Sequence, residues 1–299
     1  MNIFTVVVTY NRLELLKKNI QCLRQNKPIS TIVVINNGST DGSAEWLDSQ
    51  KDLKVIHQNN VGGSGGFYTG IQYAYNAGAD WIWCMDDDVF PRADCLEHLL
   101  QASNHPNVGI LAPRRLLEGE IFTNDFLKYN LTNPFASLYA NKLAKQTVTE
   151  PTEIGGTAFE GPFIKREVVE KIGLPTKELF IFCDDTDYCL RTTLAGFKIV
   201  YVPTALMDKE KFFSNVSWSV RNKNKKWKRF YHVRNYTYLN HHYGKNIAVK
   251  YLRGLNGMMG YILIALFTCP FTDAWQFKDI SRLWKAYNDG IREKLGIIK

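Results

Sequence analysis

WIWCMDDD, residues 81–88, decides the fold. Five bulky apolar residues in a row, with no polar alternation, read as a strand buried on both faces. The strand ends on three consecutive aspartates, Asp86, Asp87 and Asp88. Outward from it, Lys54–His57, Thr31–Ile35 and Ile3–Thr9 are similarly short strand-like runs. Helical stretches separate them. Leu13–Gln25 carries Leu13, Leu16, Ile20 and Leu23 at helical spacing, Ser43–Gln50 is a helix start, and the loop Asn59–Gly66 opens a helix through Ala77. This alternation with short connections predicts an α/β fold, a mostly parallel sheet with helices on both faces. Ligands of such sheets bind beyond the carboxyl ends of the strands. TYNR (9–12), NNGSTDG (36–42) and DDD (86–88) all stand at strand C-termini and are expected to converge on one crevice.

Beyond Pro91 the pattern loosens, and Leu116–Glu153 is too polar and irregular to assign. Glu167–Ile172 then reads as a short helix, Leu179–Phe182 as a strand, Asp185–Ala195 as a helix and Lys198–Val202 as a strand. With 299 residues, 45% hydrophobic and 13% aromatic, the chain can bury a real core, which argues against intrinsic disorder. The net charge of +8 is unevenly placed: residues 1–207 carry 19 Lys/Arg against 23 Asp/Glu, and residues 208–299 carry 18 against 6. The basic last third points to an acidic partner surface, either anionic lipid or nucleic acid. The six cysteines form no CxxC pair, and Cys84 and Cys183 lie in apolar runs, so a reducing cytoplasm is expected. The opening MNIFTVVVTYNR lacks a charged leader before an apolar core, so no secretory signal is expected.

Three adjacent carboxylates repel one another unless a cation neutralises them. Mg²⁺ and Mn²⁺ prefer oxygen ligands and commonly bridge protein carboxylates to phosphates. An isolated acidic triplet reads equally well as a solvated turn, so its company matters. Upstream, NVGGSGG (60–66) brings four glycines to the mouth of a helix. Glycines admit close backbone approach, and a helix N-terminus offers unpaired N–H groups to anions. No Gly-Lys-Ser/Thr follows, and the loop does not succeed the first strand, so it is neither a P-loop nor a dinucleotide fingerprint.

TYNR (9–12), NNGSTDG (36–42), NVGGSGG (60–66), DDD (86–88), LFIFCDDTDYCLR (179–191) and GFKIVYVP (196–203) together resemble the family 2 inverting glycosyltransferases with the GT-A fold. The NxGGxGG loop (60–66) and the double aspartate are similar to those of the bacterial galactofuranosyltransferases, with the rhamnosyltransferases as near relatives. The resemblance implies a Rossmann-like catalytic domain over 1–205, with a nucleotide-sugar part (1–90) and an acceptor part (91–205). A basic helical region follows over 206–299. It further implies that Thr9, Tyr10, Arg12, Asn36, Asn37, Asn60, Gly62, Gly63, Asp86 and Asp87 bind the nucleotide sugar. Asp86 and Asp88 would form the DxD element that holds Mn²⁺ or Mg²⁺. Asp185 would be the catalytic base, because an acceptor hydroxyl is a poor nucleophile until a carboxylate takes its proton. Asp184 would hydrogen-bond the acceptor. The implied donor is UDP-galactofuranose, with dTDP-rhamnose as the alternative, and the implied acceptor is a glycan carried on polyprenyl diphosphate.

Relatives place a metal-binding histidine shortly after the strand corresponding to Lys198–Val202, where this chain reads PTALMDK (203–209). Asp208 is therefore expected to share the metal with Asp88, giving an all-carboxylate site. Arg234 is a candidate contact to diphosphate or acceptor, and His232 a further candidate at the site's mouth. Residues 221–250 hold nine Lys/Arg and no acidic residue, and the apolar LNGMMGYILIALFTCPF (255–271) is at the lower limit of a bilayer span. A peripheral contact through 221–271 with the inner face of the cell membrane is expected. A helical subdomain or homo-oligomer interface is the other reading of that region. A nucleic-acid- or membrane-binding protein with an inactive transferase domain would leave the first 205 residues unexplained, and their excess of acid disfavours a nucleic-acid cleft.

Overall fold

The computed structural model describes residues 1–122, 125–143, 148–211, 218–271 and 274–298; the side chains of 141, 142, 218, 219, 221 and 222, among them Trp218 and Arg221 of the basic stretch, lie outside the described residues. β1 (Ile3–Thr9) is buried at every position. It pairs in parallel with β2 (Thr31–Asn36), and β2 pairs in parallel with β3 (Leu53–His57). On its other side β1 pairs in parallel with β4 (Trp81–Asp86), whose first five residues are buried. Side chains alternate across a strand, so β1 serves two faces. Ile3 and Val7 pack with Leu16, Ile20 and Leu23 of α1 (Leu13–Gln25) and with Leu47 of α2 (Ser43–Asp48). Val6 and Val8 lie beneath α3 (Gly62–Asn76), which comes so close that a Cβ on Gly66 would stand 2.5 Å from Val8 and one on Gly70 2.2 Å from Val6. Helices therefore cover both faces, as the alternation required.

Past β4 the chain makes β5 (Val89–Pro91), α4 (Cys95–Gln101), β6 (Val108–Leu117), β7 (Glu120–Phe122), β8 (Phe126–Tyr129), β9 (Tyr139–Lys142), β10 (Thr152–Ile154), β11 (Phe163–Lys165), α5 (Arg166–Ile172), α6 (Asp184–Leu194) and β12 (Lys198–Lys209). The sheet runs β10-β12-β6-β11-β4-β1-β2-β3, with β5 added to β12 and β7 to β6. The short β11 is antiparallel to both β4 and β6, whereas β6 and β12 are parallel. β12 continues seven residues past the strand expected to end at Val202, through an irregularity between Val202 and Leu206.

Leu179–Phe182 is not a strand. A 3-10 turn at Lys177–Leu179 is followed by Phe180, Phe182 and Cys183 at φ between 66° and 67°. Left-handed backbone cannot extend a ladder, and bulky residues adopt it only where surroundings hold it. Here Asn235 holds it, its amide donating to the carbonyls of Leu179, Ile181 and Phe182 at 2.8–2.9 Å.

Contacts divide the chain into two units. Unit one comprises Met1–Lys128, Asn141–Lys177 and Asp185–Lys211, and unit two comprises Tyr129–Ala140, Glu178–Asp184 and Phe212–Lys299. Unit two is built on α7 (Trp218–Tyr243), a π-helical segment at Val249–Arg253, α8 (Gly254–Thr268) and α9 (Phe277–Ile291). Its core joins Phe230 and Val233 of α7 to Met258 and Ile262 of α8 and to Leu283 and Tyr287 of α9. No helix among the described residues is long and apolar enough to cross a membrane.

Candidate active site

The loops at the carboxyl ends of β1 to β4 are stitched to one another by short polar side chains. Asn11, at φ 54°, receives the backbone N–H of Thr40 on its Oδ1 (2.7 Å) and donates its own N–H to Ser39 (3.0 Å). Asp41 accepts the N–H of Leu13 at the start of α1 (2.9 Å), satisfying a group the helix leaves unpaired. Asn37 donates to the Gly62 carbonyl (3.0 Å) and to Asn60 Oδ1 (3.3 Å), and accepts from Gln58 and from the N–H of Val61. Asn36 pairs with the His57 ring and accepts the N–H of Ser39. Asn36, Asn37, Asn60 and Gly62, expected to bind the donor, here bind one another and set the loop geometry. Tyr10 is exposed, and a Cβ on Gly63 would meet nothing within 4 Å, so both positions face open space.

The strongest convergence is on the acidic triplet. Asp87 is buried and accepts the Thr9 hydroxyl (2.7 Å) and Arg12 Nη1 (3.0 Å). The same Arg12 nitrogen lies 3.2 Å from Asp88. Burial pushes the Asp87 carboxyl up to about 6 against the pull of Arg12 and Thr9. Asp86 and Asp88 project instead towards Glu160, and one oxygen from each of the three lies within 4.8 Å of the others. Burial, then the charges of Asp88, Asp87 and Glu160, holds the Asp86 carboxyl well above the ordinary range. Glu160 is carried by a loop tied to β4: Gly161 N–H donates to the Cys84 carbonyl, and Cys84 N–H to the Pro162 carbonyl, each at 2.9 Å. The carboxylate of Glu160 is shared by Arg115 and Lys209 at 2.5 Å each, and Arg115 also binds the fully buried Asp125 at 2.8 Å.

Five carboxylates, Asp86, Asp87, Asp88, Asp125 and Glu160, thus face three cations, Arg12, Arg115 and Lys209. Asp88 Oδ1 is buried with no hydrogen-bond partner. Two more carboxylates than cations, an all-oxygen donor set and a buried Asp88 oxygen with no hydrogen-bond partner fit one hard divalent cation such as Mg²⁺ or Mn²⁺.

Asp208 does not join this set. Its carboxylate makes a two-point pair with Arg92 at 3.0 and 3.1 Å in solvent, and Lys209, one position on, points to the cluster. Consecutive residues of a strand face opposite sides, so with Lys209 turned to the cluster Asp208 faces away from it. Arg234 also stands elsewhere: it is buried in unit two and donates to the carbonyls of Glu178, Leu179 and Gly296 and to Asn235 Oδ1. A buried guanidinium needs its donors satisfied, and here backbone carbonyls do so. His232 packs against Tyr236, Tyr261 and Phe182 in the same unit, and burial, then Arg229, lowers its pKa.

Asp185 lies half-buried in the first turn of α6, where it accepts the Thr186 N–H at 2.6 Å. Asp184, buried, begins the helix, and Asp187 is held by Arg191 (3.0 Å) and Thr176 (2.8 Å). Through Tyr188, α6 packs on Phe159, which stacks on Phe67 of α3 and immediately precedes Glu160. Glu160, Lys209 and Arg115 are the residues sequence reasoning missed. The one visible signal was Glu160 as the sole charge in IGGTAFEGPFI (154–164).

The model of the family described as "Glycosyl transferase family 2" matches residues 5–173, more than half of the chain. The chain belongs to glycosyl transferase family 2. Among its relatives, the undecaprenyl-phosphate mannosyltransferase of Micrococcus luteus is 26% identical over 225 residues, covering 74% of this chain and 89% of that protein. The galactofuranosyltransferase GlfT1 of Mycobacterium tuberculosis is 28% identical, covering 65% of this chain and 66% of its own length. The dTDP-rhamnosyl transferase RfbF of Shigella flexneri is 27% identical, covering 69% and 68%. Two solved structures share the GT-A-like fold. GalNAc-T7 with UDP, GalNAc and Mn²⁺ has a TM-score of 0.59 at 15% identity, covering 90% of this chain and 57% of that one. The S. aureus TarS fragment 1–349 has 0.58 at 12%, covering 98% and 82%. The triplet and Glu160 lie inside the segment that the family model matches.

Proposed function

We propose that this family 2 member transfers a glycosyl group, with inversion, from a nucleotide-diphosphate sugar to a hydroxyl of a polyprenyl-linked glycan. The observation that carries this reading is the Asp86–Asp88–Glu160 oxygen cluster beyond the carboxyl end of β4. Asp86, Asp88 and Glu160 would hold Mn²⁺ or Mg²⁺, which when bound offsets charge on the departing diphosphate. Arg12, half-exposed beside Asp88, adds a fixed positive charge at the same edge. Asp185 is the base. At the N-terminus of α6 the helix dipole favours its ionised form, which takes the acceptor's proton as that oxygen attacks the anomeric carbon. The bond from that carbon to the diphosphate oxygen breaks with its electron pair leaving on the diphosphate, so the configuration inverts.

UDP-galactofuranose is the favoured donor and dTDP-rhamnose the alternative, supported by the names of two relatives. The mannosyltransferase relative is the reason to add a mannose donor to the panel. The test is nucleoside diphosphate release across these donors with a polyprenyl-linked acceptor, with Asp185→Asn as the control. Transfer with inverted anomeric configuration by NMR, lost in Asp185→Asn while nucleotide binding persists, is the expected result. Undiminished transfer by Asp185→Asn, or retained configuration, sinks the reading.

Unit two is proposed to rest on an anionic membrane surface at the inner face of the cell membrane. α8 turns Met258, Ile262 and Ala265 inward and leaves Met259, Leu263, Leu266 and Phe267 exposed, with Phe271 84% exposed beyond it. An exposed apolar helix face in a region of 18 Lys/Arg against 6 Asp/Glu suits an acidic leaflet.

A further inference from the structure

Lys209 ends β12 with its ammonium 2.5 Å from Glu160 Oε1 and 3.6 Å from Asp88 Oδ1. These are two of the three carboxylates whose oxygens converge within 4.8 Å. The side chain is largely buried, at 13% exposure, and the backbone anchors it: the N–H of Glu210 donates to the Asp88 carbonyl at 2.9 Å. Burial lowers the Lys209 pKa, but Glu160 and then Asp88 outweigh it and the net shift is upward, so the side chain is a fixed positive charge. A divalent cation ligated by Asp88 and Glu160 needs oxygens at roughly 2.0–2.6 Å, and an ammonium against the same two carboxylates stands within a few ångströms of that position. Two cations that close repel. A lysine carries its charge on a long flexible stem and can turn aside, whereas Arg115, buried and clamped between Asp125 and Glu160, has no such latitude.

We propose that Lys209 is the resident counter-cation of the Asp86–Asp88–Glu160 cluster, that a divalent metal enters by displacing its ammonium, and that the displaced ammonium then pairs with the donor's diphosphate. Metal and nucleotide binding are thereby coupled: bare metal binds weakly, and the diphosphate that receives Lys209 raises the metal's affinity. Only the last of these steps rests on the nucleotide-sugar reading above.

The experiment measures Mn²⁺ binding by calorimetry and by electron paramagnetic resonance, first without nucleotide and then with UDP, in wild type, Lys209→Met and Lys209→Arg. Without nucleotide, Lys209→Met is expected to bind Mn²⁺ about tenfold tighter than wild type, a typical coupling between sites. Lys209→Arg, which keeps the charge, is expected to stay weak. With UDP the Lys209→Met advantage shrinks, and its UDP affinity falls below wild type. Mn²⁺ affinity in folded Lys209→Met that equals or falls below wild type overturns the proposal. Should that variant fail to fold, nitrogen-resolved lysine side-chain NMR of the unaltered protein decides: addition of Mg²⁺ shifts the Lys209 ammonium signal, and an unmoved signal at saturating Mg²⁺ overturns it. The metal measurements without nucleotide keep their meaning even if no donor sugar is transferred.

Discussion

Asp87 is held by Thr9 and Arg12, while the neighbouring Asp88 keeps a buried oxygen with no hydrogen-bond donor. Adjacent carboxylates therefore divide the work: one braces the β1 loop against β4, and the other is left for a cation. Asp88→Asn is expected to weaken Mn²⁺ binding at least about tenfold, since metal ligation needs the carboxylate charge. Asp208→Ala, which removes only an exposed pair with Arg92, is expected to leave it within about twofold. Calorimetric titration of both variants checks the contrast; equal losses would restore Asp208 to the metal shell. Arg115 carries a different burden. With Asp125 fully buried beside it, Arg115→Ala is expected to cost about 3–5 kcal/mol in urea denaturation, because Asp125 would lose its counter-charge while Glu160 would keep only Lys209.

At the scale of elements, α3 and the loop before α6 show how local chemistry serves packing. Only some glycines of NVGGSGG have open surroundings. Gly66, like Gly70 a turn further on, lets α3 lie against Val8 and Val6, whose β-branched side chains are stiff. Gly66→Ala and Gly70→Ala are each expected to destabilise by about 1–3 kcal/mol, an overpacking cost. Gly63→Ala, with nothing within 4 Å, is expected to stabilise the helix by up to about 1 kcal/mol and to weaken nucleotide binding if the donor passes over it. Thermal melts paired with UDP titration separate these outcomes. The loop at 178–183 depends on Asn235. Asn235→Ala takes the amide donor from the Ile181 and Phe182 carbonyls, while Leu179 keeps Arg234, and is expected to cost about 1–3 kcal/mol. Hydrogen exchange should then quicken at residues 178–183 first; unchanged protection there would show that another group holds the bend.

For the whole molecule, charge and apolar exposure fall in the same region. Residues 208–299 supply the positive balance, and α8 supplies Leu263, Leu266 and Phe267 to solvent. The protein is expected to float with vesicles rich in anionic lipid and to stay behind with zwitterionic ones, the binding weakening as salt rises. Replacing Leu263 and Phe267 together by Ser is expected to reduce flotation several-fold without lowering the melting temperature, because neither packs in the core. Equal flotation on both vesicle types would argue against a charge-guided surface.

Unbroken apolar runs such as WIWCM and VVV, too short for helices and flanked by helical stretches, read as buried strands, so the order of β1 to β4 with their helices was legible from sequence alone. So was the meeting of TYNR with DDD, since both follow strands at one end of a parallel sheet. What the chain did not disclose was the face of each residue beyond Val202, where β12 turns Lys209 rather than Asp208 towards the carboxylates. Nor did it disclose Glu160, 72 residues from Asp88, which joins the site through backbone bonds between its loop and β4. Local periodicity reports which side of an element is buried. Which distant charges come to share one low-dielectric site depends on register and loop return, and these exist only in the folded chain.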